Sequence, residues 1–575
     1  MKNIAITLFV VLSGLLFGSS SCSHTTPPDI MEIPSNEETP EKPGESAGEQ
    51  TDGATIIGKV TTPEGTPIAD VVVSDGIKVT LTDKNGEYRI VSDKSCNCVF
   101  VSLPENYTAE LNNNLPQFYQ TLTLPPKQAE IHNFKLYPAD NYSSTIIIHA
   151  DQHLANRTED LKQFNSKVLP DINSFITHEK QSGRNVVSIS LGDSSWDQFW
   201  KSNSFDLIDA VKCLQDINSP IFHTIGNHDN NPYIADDWKS SAIFRMNIAP
   251  SYYSFNIGDA HFIILDNVIY NNPGATASEM GERSYDRALT EKQLEWLKAD
   301  LSTISDKNSP LVICAHVPFY AEPTLSGQNI TTKRNMLNTD KLEEIISSFT
   351  NVTLFTGHYH RNFNVESPYL PGVTEHNVAS LSGSLWWTGK SGYAGNHLCT
   401  DGTPGGYGVL RLEGKKLNYS YKCIGFDENY QFRVYDLNKV RIDESCVSGN
   451  TQYKKLVKDY ADVYYQVSNN NEVLVNLFSW QPGWKIEIEE EGVPLYVSRV
   501  RTKDPLHILS YECQRLSHNA VPTATSTFST QYSTHFFKAR ASKPDTRVTV
   551  KVTDNFGKIY IQTIDRPKNF SVKMN

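Results

Sequence analysis

The chain has 575 residues, of which 39% are hydrophobic and 20% charged, so it can form packed cores and is not a disordered protein. Its 52 basic and 65 acidic residues give a formal net charge of −13. An acidic chain without a basic block is not expected to have nucleic acid as its main partner, and the length is that of several domains.

The first residues have the pattern of an export signal. Lys2 precedes an apolar run over residues 4–17, and small residues follow up to Cys22. The run is as long as the core of a signal peptide and shorter than the ~20 residues that span a bilayer. We therefore expect residues 1–22 to form a signal peptide with a lipobox. The mature protein is expected in the bacterial cell envelope, in the periplasm or on the outer surface.

Cys22 has two interpretations. It is either the lipid-bearing first residue of a mature lipoprotein or a cysteine beyond an ordinary cleavage site. We expect the lipid anchor, because residues 23–53 are rich in Pro, Glu, Ser, Thr and Gly and predict a disordered tether. No later stretch predicts a transmembrane helix in the mature protein.

Residues 54–140 predict a small all-β domain. Short apolar or alternating strands over 56–60, 71–73, 79–82 and 88–90 are separated by turns rich in Gly, Pro, Asn and Asp. The domain resembles the carboxypeptidase-regulatory-like modules of exported proteins. Its function is open between a spacer and a module that binds glycan or protein.

Residues 141–412 change to the alternation of apolar runs and amphipathic stretches that is typical of α/β folds. Residues 413–575 return to strand patterns and predict a second all-β sandwich. Helices are expected over 159–178, 204–215, 290–301 and 338–349, the third of which begins with Thr290 and Gln293 at the spacing of a capping box.

Five apolar runs in the central segment each end at residues that bind metals. Continuous apolar runs are typical of strands buried on both faces, and open α/β sheets bind ligands at the carboxyl ends of their strands. The sequence therefore predicts that five segments bring polar side chains to one rim. The runs and the residues that follow them are 145–148 before His149-Ala150-Asp151-Gln152-His153, 186–191 before Gly192-Asp193, 221–225 before Gly226-Asn227-His228-Asp229, 311–315 before His316, and 352–356 before Gly357-His358-Tyr359-His360.

This series of motifs resembles that of the calcineurin-like metallophosphoesterase superfamily. The blocks D-x-H, G-D, G-N-H-D, a lone His and G-H-x-H are all present, in order, between Asp151 and His360. The flanking modules resemble those of an exported bacterial branch of the superfamily. The resemblance implies a central α/β sandwich flanked by two all-β domains of the immunoglobulin-like or carboxypeptidase-regulatory-like kind.

The resemblance also implies a dinuclear centre of divalent or trivalent ions, either Mn, Fe or Zn. Carboxylate, imidazole and amide ligands without thiolates suit such borderline ions. His228 would be the general acid or would stabilise the transition state, with Asp229 as its orienting partner. The implied ligands are Asp151, His153 and His360 for one metal, Asn227, His316 and His358 for the other, and Asp193 for both.

The expected function is that of an exported phosphoesterase acting on a small-molecule or envelope-derived phosphate ester. A hydroxide that bridges the two metals would attack the phosphorus, with phosphodiesters favoured over phosphomonoesters. The alternative is a non-catalytic protein that binds an envelope glycan or protein and keeps a vestigial site. Five residues are candidates for substrate contact, each with a structural role as the alternative: Asn230, Tyr359, Arg361, His376 and Asp401.

Overall fold

The structure is a computed structural model and describes residues 45–46 and 53–574. The predicted signal sequence and Cys22 lie outside the described residues. Within the predicted tether, the short strand Glu45–Ser46 pairs with Glu130–Ile131 and so extends a sheet of the following domain. None of the described helices is long and apolar enough to cross a membrane.

The N-terminal domain has the predicted all-β fold. The four predicted strands are present, and each end lies within one residue of its expected position. Two sheets and a short hairpin, Leu111–Asn112 with Leu115–Pro116, make up the domain. The strands of the two sheets are Glu45–Ser46, Ile56–Thr61, Glu87–Ile90, Tyr107–Ala109, Glu130–Ile131 and Phe134–Pro138 in the larger, and Val72–Ser74, Val79–Leu81, Cys98–Ser102 and Tyr119–Thr121 in the smaller.

The central domain contains two sheets that share one hydrophobic core. In the first central sheet the strands lie in the order Ile221–His223, Asn185–Ser190, Ser143–His149, Gly406–Glu413 and Lys416–Cys423, and the first three are parallel. In the second central sheet the order is Tyr253–Ile257, Ala260–Ile264, Leu311–Cys314, Val352–Thr356, Val373–Asn377 and Phe363–Glu366, with the middle four parallel. The predicted boundary at residue 412 thus falls inside the strand Gly406–Glu413 and would divide it from its paired strand Lys416–Cys423.

The strand Ser143–His149 shows why the apolar runs are continuous. Ile146 and Ile148 are buried in the core between the two sheets. Ile147 is buried in a separate core on the other face, together with Phe175 of the helix Leu169–Gln181. Successive side chains of a strand point to opposite faces, so burial on both faces requires an apolar residue at every position.

The four predicted helices are present in the central domain. Thr290 caps its helix as expected, because its Oγ1 accepts a hydrogen bond from the Gln293 backbone N–H at 3.3 Å. The Gln293 side chain does not close the capping box but bonds to both backbone groups of Asp266. The helical segments of this domain are Asp160–Gln163 continuing through the π-helical turn Phe164–Val168 into Leu169–Gln181, then Asp197–Phe199, Leu207–Leu214, Asn227–Asp229, Asp237–Ser240, Ala242–Asn247, Glu291–Ser302 and Thr339–Ile346.

Two hairpins of the central domain extend from these sheets. They are Val268–Asn271 with Ser284–Arg287, called here the pocket hairpin, and Thr324–Ser326 with Asn329–Thr331, called the cleft hairpin.

The C-terminal domain is a sandwich of two four-stranded sheets. Apolar residues of both sheets, such as Val475 and Val550, form the core between them. The domain also carries the helical segments Glu444–Cys446, Thr451–Ala461, Asp462–Tyr464 and Pro505–Ser517, which the sequence analysis did not predict. The sheets comprise Phe432–Asp436, Glu472–Leu477, Ser533–Arg540 and Val497–Thr502, and Val493–Pro494, Lys485–Glu490, Val548–Thr553 and Ile559–Ile564.

Candidate metal centre

The predicted ligands come together where the strands of both central sheets end. Two groups of side chains offer ligand atoms that lie within 4.8 Å of one another, and the second group shares Asp193 with the first. We call them cluster 1 and cluster 2. The members are Asp151, His153, Asp193 and His360 in cluster 1, and Asp193, His316 and His358 in cluster 2.

The backbone of this site is unusual. Five of the seven predicted ligands have a positive φ between 45° and 69°, which non-glycine residues rarely adopt. Such strained residues concentrate at functional sites, where the surrounding structure holds them in place. The five residues are Asp151, His153, Asp193, His358 and His360.

The glycines of the motifs make room for these carboxylates. Gly192 has a φ of +90°, a backbone conformation that glycine adopts readily and other residues do not. Gly226 and Gly357 do not have a positive φ. Their lack of a side chain allows a carboxylate to approach the backbone closely. A Cβ on Gly226 would lie 2.2 Å from Asp193 Oδ1, and one on Gly357 would lie 2.8 Å from Asp151 Oδ2.

Cluster 1 is fully buried and its imidazoles face each other. His153 Nε2 lies 2.9 Å from His360 Nε2, and His360 Nε2 lies 3.4 Å from Asp151 Oδ1. Burial and then the neighbouring His360 hold the pKa of His153 well below its usual range, so the imidazole is in the neutral form that binds metals. The buried Nδ1 atoms of His153 and His360 have no hydrogen-bond partner among the described residues.

Cluster 2 brings acceptor atoms together. The His316 ring bonds to the Leu191 carbonyl through Nδ1 at 2.8 Å, which in the neutral imidazole leaves a lone pair on Nε2. That Nε2 lies 3.2 Å from Asp193 Oδ2 and 3.1 Å from Asn227 Oδ1. His358 Nδ1 is 3.2 Å from His316 Nε2, and His358 Nε2 bonds to the Tyr285 hydroxyl at 3.0 Å.

Such a set of converging acceptors fits a cation. Burial opposes the charged imidazole, but Asp193, Asp151 and the Leu191 carbonyl together outweigh burial and raise the pKa of His316 to about 9, so the cluster attracts positive charge. Asn227 belongs to this group through its Oδ1 atom. The donor set of oxygens and imidazole nitrogens is one that Mn, Fe and Zn ions accept.

His228 lies beside the two clusters and is held by a carboxylate. Its Nδ1 is 2.6 Å from Asp197 Oδ1, and Arg283 Nη1 donates to the same oxygen at 3.0 Å. Burial disfavours charge on the ring, but Asp197 and Asp193 outweigh it and raise the pKa of His228. Asp197, which lies four residues beyond Asp193, was not among the site residues predicted from the sequence.

Asp229 does not orient His228, which corrects the expectation. Its Oδ1 accepts from the Ser195 backbone N–H at 3.1 Å, and its Oδ2 accepts from the Gly226 backbone N–H at 3.0 Å. Both bonds hold the loop that carries the motif. Burial and then the nearby Asp193 raise the pKa of Asp229 to about 6.

A pocket with a volume of 340 Å³ opens over clusters 1 and 2. Its walls come from five segments of the chain, one of which is the loop of the C-terminal domain that carries Ser526 and Thr527. The contributions of that loop and of the pocket hairpin were not predicted from the sequence. The residues that line the pocket are Asp197, Asn227, His228, Glu282, Arg283, Tyr285, Arg287, His358, Tyr359, His360, Arg361, Ser526 and Thr527.

Two of the five candidates for substrate contact, Tyr359 and Arg361, lie on the pocket wall. Arg361 is neutralised by Glu322, to which it donates at 3.1 and 2.6 Å. Arg287 donates to Asn335 Oδ1 and to the Tyr359 hydroxyl. No carboxylate of residues 53–574 lies within ion-pair distance of Arg287, so its charge is available to an anion in the pocket.

The other three candidates do not line the pocket. Asn230 is buried and bonds to the Gly226 carbonyl and to Ser240. His376 bonds to Asn364 and stacks on Phe355, and burial lowers its pKa to about 3.

Asp401 is fully buried away from the pocket. Its carboxylate accepts from the Asn362 backbone N–H at 3.1 Å and lies 3.2 Å from His535 Nε2 of the C-terminal domain. The structure thus assigns Asn230, His376 and Asp401 to packing rather than to substrate contact.

Comparison with protein families gives three consecutive matches. Residues 144–362 match the model of the calcineurin-like phosphoesterases. Residues 54–139 match the N-terminal domain described for these proteins, and residues 375–560 match the C-terminal one. The matches therefore cover all three domains.

Curated relatives are distant. The chain is 24% identical over 277 residues to purple acid phosphatase 15 of Arabidopsis thaliana, covering 42% of this chain and 46% of the relative. It is 24% identical over 165 residues to the serine/threonine-protein phosphatase CPPED1 of Homo sapiens, covering 28% and 48%. A manganese-dependent ADP-ribose/CDP-alcohol diphosphatase of Arabidopsis thaliana is 25% identical over 246 residues, covering 34% and 76%. The chain thus spans about half the length of the first two relatives.

Proposed function

Since the chain belongs to the calcineurin-like phosphoesterases, we propose that it hydrolyses a phosphodiester at a dinuclear metal centre formed by clusters 1 and 2. The observation that carries this proposal is Asp193, whose carboxylate belongs to both clusters. Two bound cations would stabilise charge on the phosphoryl oxygens and lower the pKa of a water molecule between them.

The residues around the clusters supply the remaining chemistry. His228 lines the pocket, and its Nδ1 is occupied by Asp197, so Nε2 is the nitrogen that can protonate the departing oxygen. Asp197 fixes the ring and stabilises its positive charge. After the proton transfer the imidazole is neutral, and it is recharged from solvent through the open pocket.

The size of the pocket favours a diester. Its volume of 340 Å³ is within the range of about 300–1,000 Å³ of small-molecule sites and leaves space for groups beyond the phosphoryl. Of the three guanidiniums on its wall, Arg283 and Arg361 already face carboxylates. Arg287 is therefore the guanidinium that can donate to a phosphoryl oxygen, in addition to the charge that bound metals would supply.

The function is tested by comparing two chromogenic esters. We expect protein stripped of metal to be inactive and to regain activity with Mn²⁺ or Zn²⁺. The kcat/KM for bis(4-nitrophenyl) phosphate should exceed that for 4-nitrophenyl phosphate by about tenfold, or about 1.4 kcal/mol. Equal or faster hydrolysis of the monoester would contradict the diester preference. Turnover of neither ester by metal-loaded protein would contradict the hydrolase itself and favour the binding-protein alternative.

A further inference from the structure

A second cavity, larger than the pocket over clusters 1 and 2, lies away from the metal centre. It is a cleft of 740 Å³ between the cleft hairpin, the strand Phe363–Glu366 and the C-terminal domain. We call it the side cleft. Its walls are mainly apolar, and the residues that matter here are Ile330, Val365, Trp480, Ile486, Val497 and Arg499.

Arg499 is the unusual member of this wall. Its guanidinium carbon lies 3.5 Å from the centroid of the Trp480 ring and 5.0 Å from that of Phe537. Its backbone N–H donates to the Gln328 side chain at 2.8 Å, which ties the strand to the cleft hairpin. The planar guanidinium is therefore held in place by stacking on two aromatic rings, and the strand that carries it is held by the backbone hydrogen bond to Gln328.

The guanidinium of Arg499 has no ion-pair partner among the described residues, although Glu366 also lines the side cleft. Within residues 53–574, no carboxylate lies within 4.0 Å of the guanidinium, and its buried Nε has no hydrogen-bond partner. The three most deeply buried guanidiniums do face carboxylates: Arg361 faces Glu322, Arg433 faces Asp504 and Arg566 faces Asp436. Burial alone lowers the pKa of Arg499 to about 10, so the group is still charged at neutral pH.

A half-buried guanidinium that stacks on aromatic rings keeps its remaining N–H groups free to donate charged hydrogen bonds to an anion in the cleft. We propose that the side cleft binds a small amphipathic anion, with an apolar body against Ile486 and Val497 and one carboxylate, phosphate or sulfonate on Arg499. The apolar wall and the single unpaired guanidinium together define this chemistry, because a neutral apolar ligand leaves the charge unpaired and a free inorganic anion leaves the wall uncovered. The side cleft is separate from the metal centre, so the proposal does not depend on the proposed function.

The test uses two fluorescent probes that share an apolar body. One is 8-anilino-1-naphthalenesulfonate, which is anionic, and the other is the neutral N-phenyl-1-naphthylamine. Both are titrated into the full-length protein and into the variants Arg499→Met and Arg499→Lys. The matched control is Arg501→Met, which removes an exposed guanidinium from the same strand. Melting temperatures verify that each variant is folded.

We expect Arg499→Met to weaken binding of the anionic probe by about 10- to 100-fold, as expected for loss of a charged hydrogen bond. Arg499→Lys should lie between Arg499→Met and the wild type, and Arg501→Met should bind as the wild type does. The neutral probe should bind all four proteins alike, and inorganic phosphate should not displace the anionic probe.

Three results would overturn the proposal: equal binding of the anionic probe by Arg499→Met and Arg501→Met, an equal loss of both probes in Arg499→Met, or no saturable binding by the folded wild type. If Arg499→Met does not fold, the comparison of Arg499→Lys with Arg501→Met decides in the same way.

Discussion

Replacing Asp193 by Asn is expected to lower kcat for phosphate ester hydrolysis on the order of 10³-fold. Asp193 Oδ2 lies 3.2 Å from His316 Nε2 and 3.7 Å from His153 Nε2, so one carboxylate serves both clusters. Asparagine has nearly the same shape but no negative charge. The variant should therefore fold normally and hold less metal.

The measurement is kcat with bis(4-nitrophenyl) phosphate at saturating metal, together with the melting temperature. The matched control is Asp306→Asn, since Asp306 is an exposed carboxylate that pairs with Lys415 on the surface. That control should keep wild-type activity. An Asp193→Asn protein that is folded and retains more than about a tenth of the wild-type kcat would contradict a shared ligand.

The second large effect is expected at His228. Changing His228 to Ala should lower kcat for an alkyl phosphodiester by about 10²- to 10⁴-fold, the usual contribution of a general acid. The loss should be much smaller for a 4-nitrophenyl ester, because 4-nitrophenolate leaves without protonation. Asp197→Asn should show the same dependence on the leaving group with a smaller loss, since Asp197 only positions and charges the imidazole through its 2.6 Å contact.

His178→Ala is the control for this series, because His178 lies exposed on the helix Leu169–Gln181. It should behave as the wild type with both esters. If the losses in His228→Ala are equal for the alkyl and nitrophenyl esters, His228 stabilises charge and does not donate the proton.

The core and the ligand clusters could be predicted because their patterns are local. Ile146, Ile147 and Ile148 form a continuous apolar run, as expected for a strand that is buried on both faces. The predicted ligands follow directly where such strands end. Asp193 and His316 are each the first charged or imidazole residue after their strand.

The rest of the pocket depends on contacts that no local pattern encodes. Asp197 lies beyond the strand end in a 3₁₀ turn, and only the folded loop brings it to His228. Thr527 comes from a domain that is distant in sequence. Conversely, Asp401 lies in a Gly- and Pro-rich loop that is typical of substrate loops. Its carboxylate, however, already contacts the Asn362 backbone N–H and His535 of the C-terminal domain. A sequence does not reveal which hydrogen bonds a polar side chain has already made.

Anomalous diffraction from Mn²⁺-soaked crystals of the full protein tests whether two metal ions share Asp193. We expect two anomalous peaks per chain. One should lie among Asp151, His153, Asp193 and His360, and the other among Asp193, Asn227, His316 and His358. A single peak, or peaks that do not involve Asp193 in both sites, would show that the two clusters do not form a dinuclear centre.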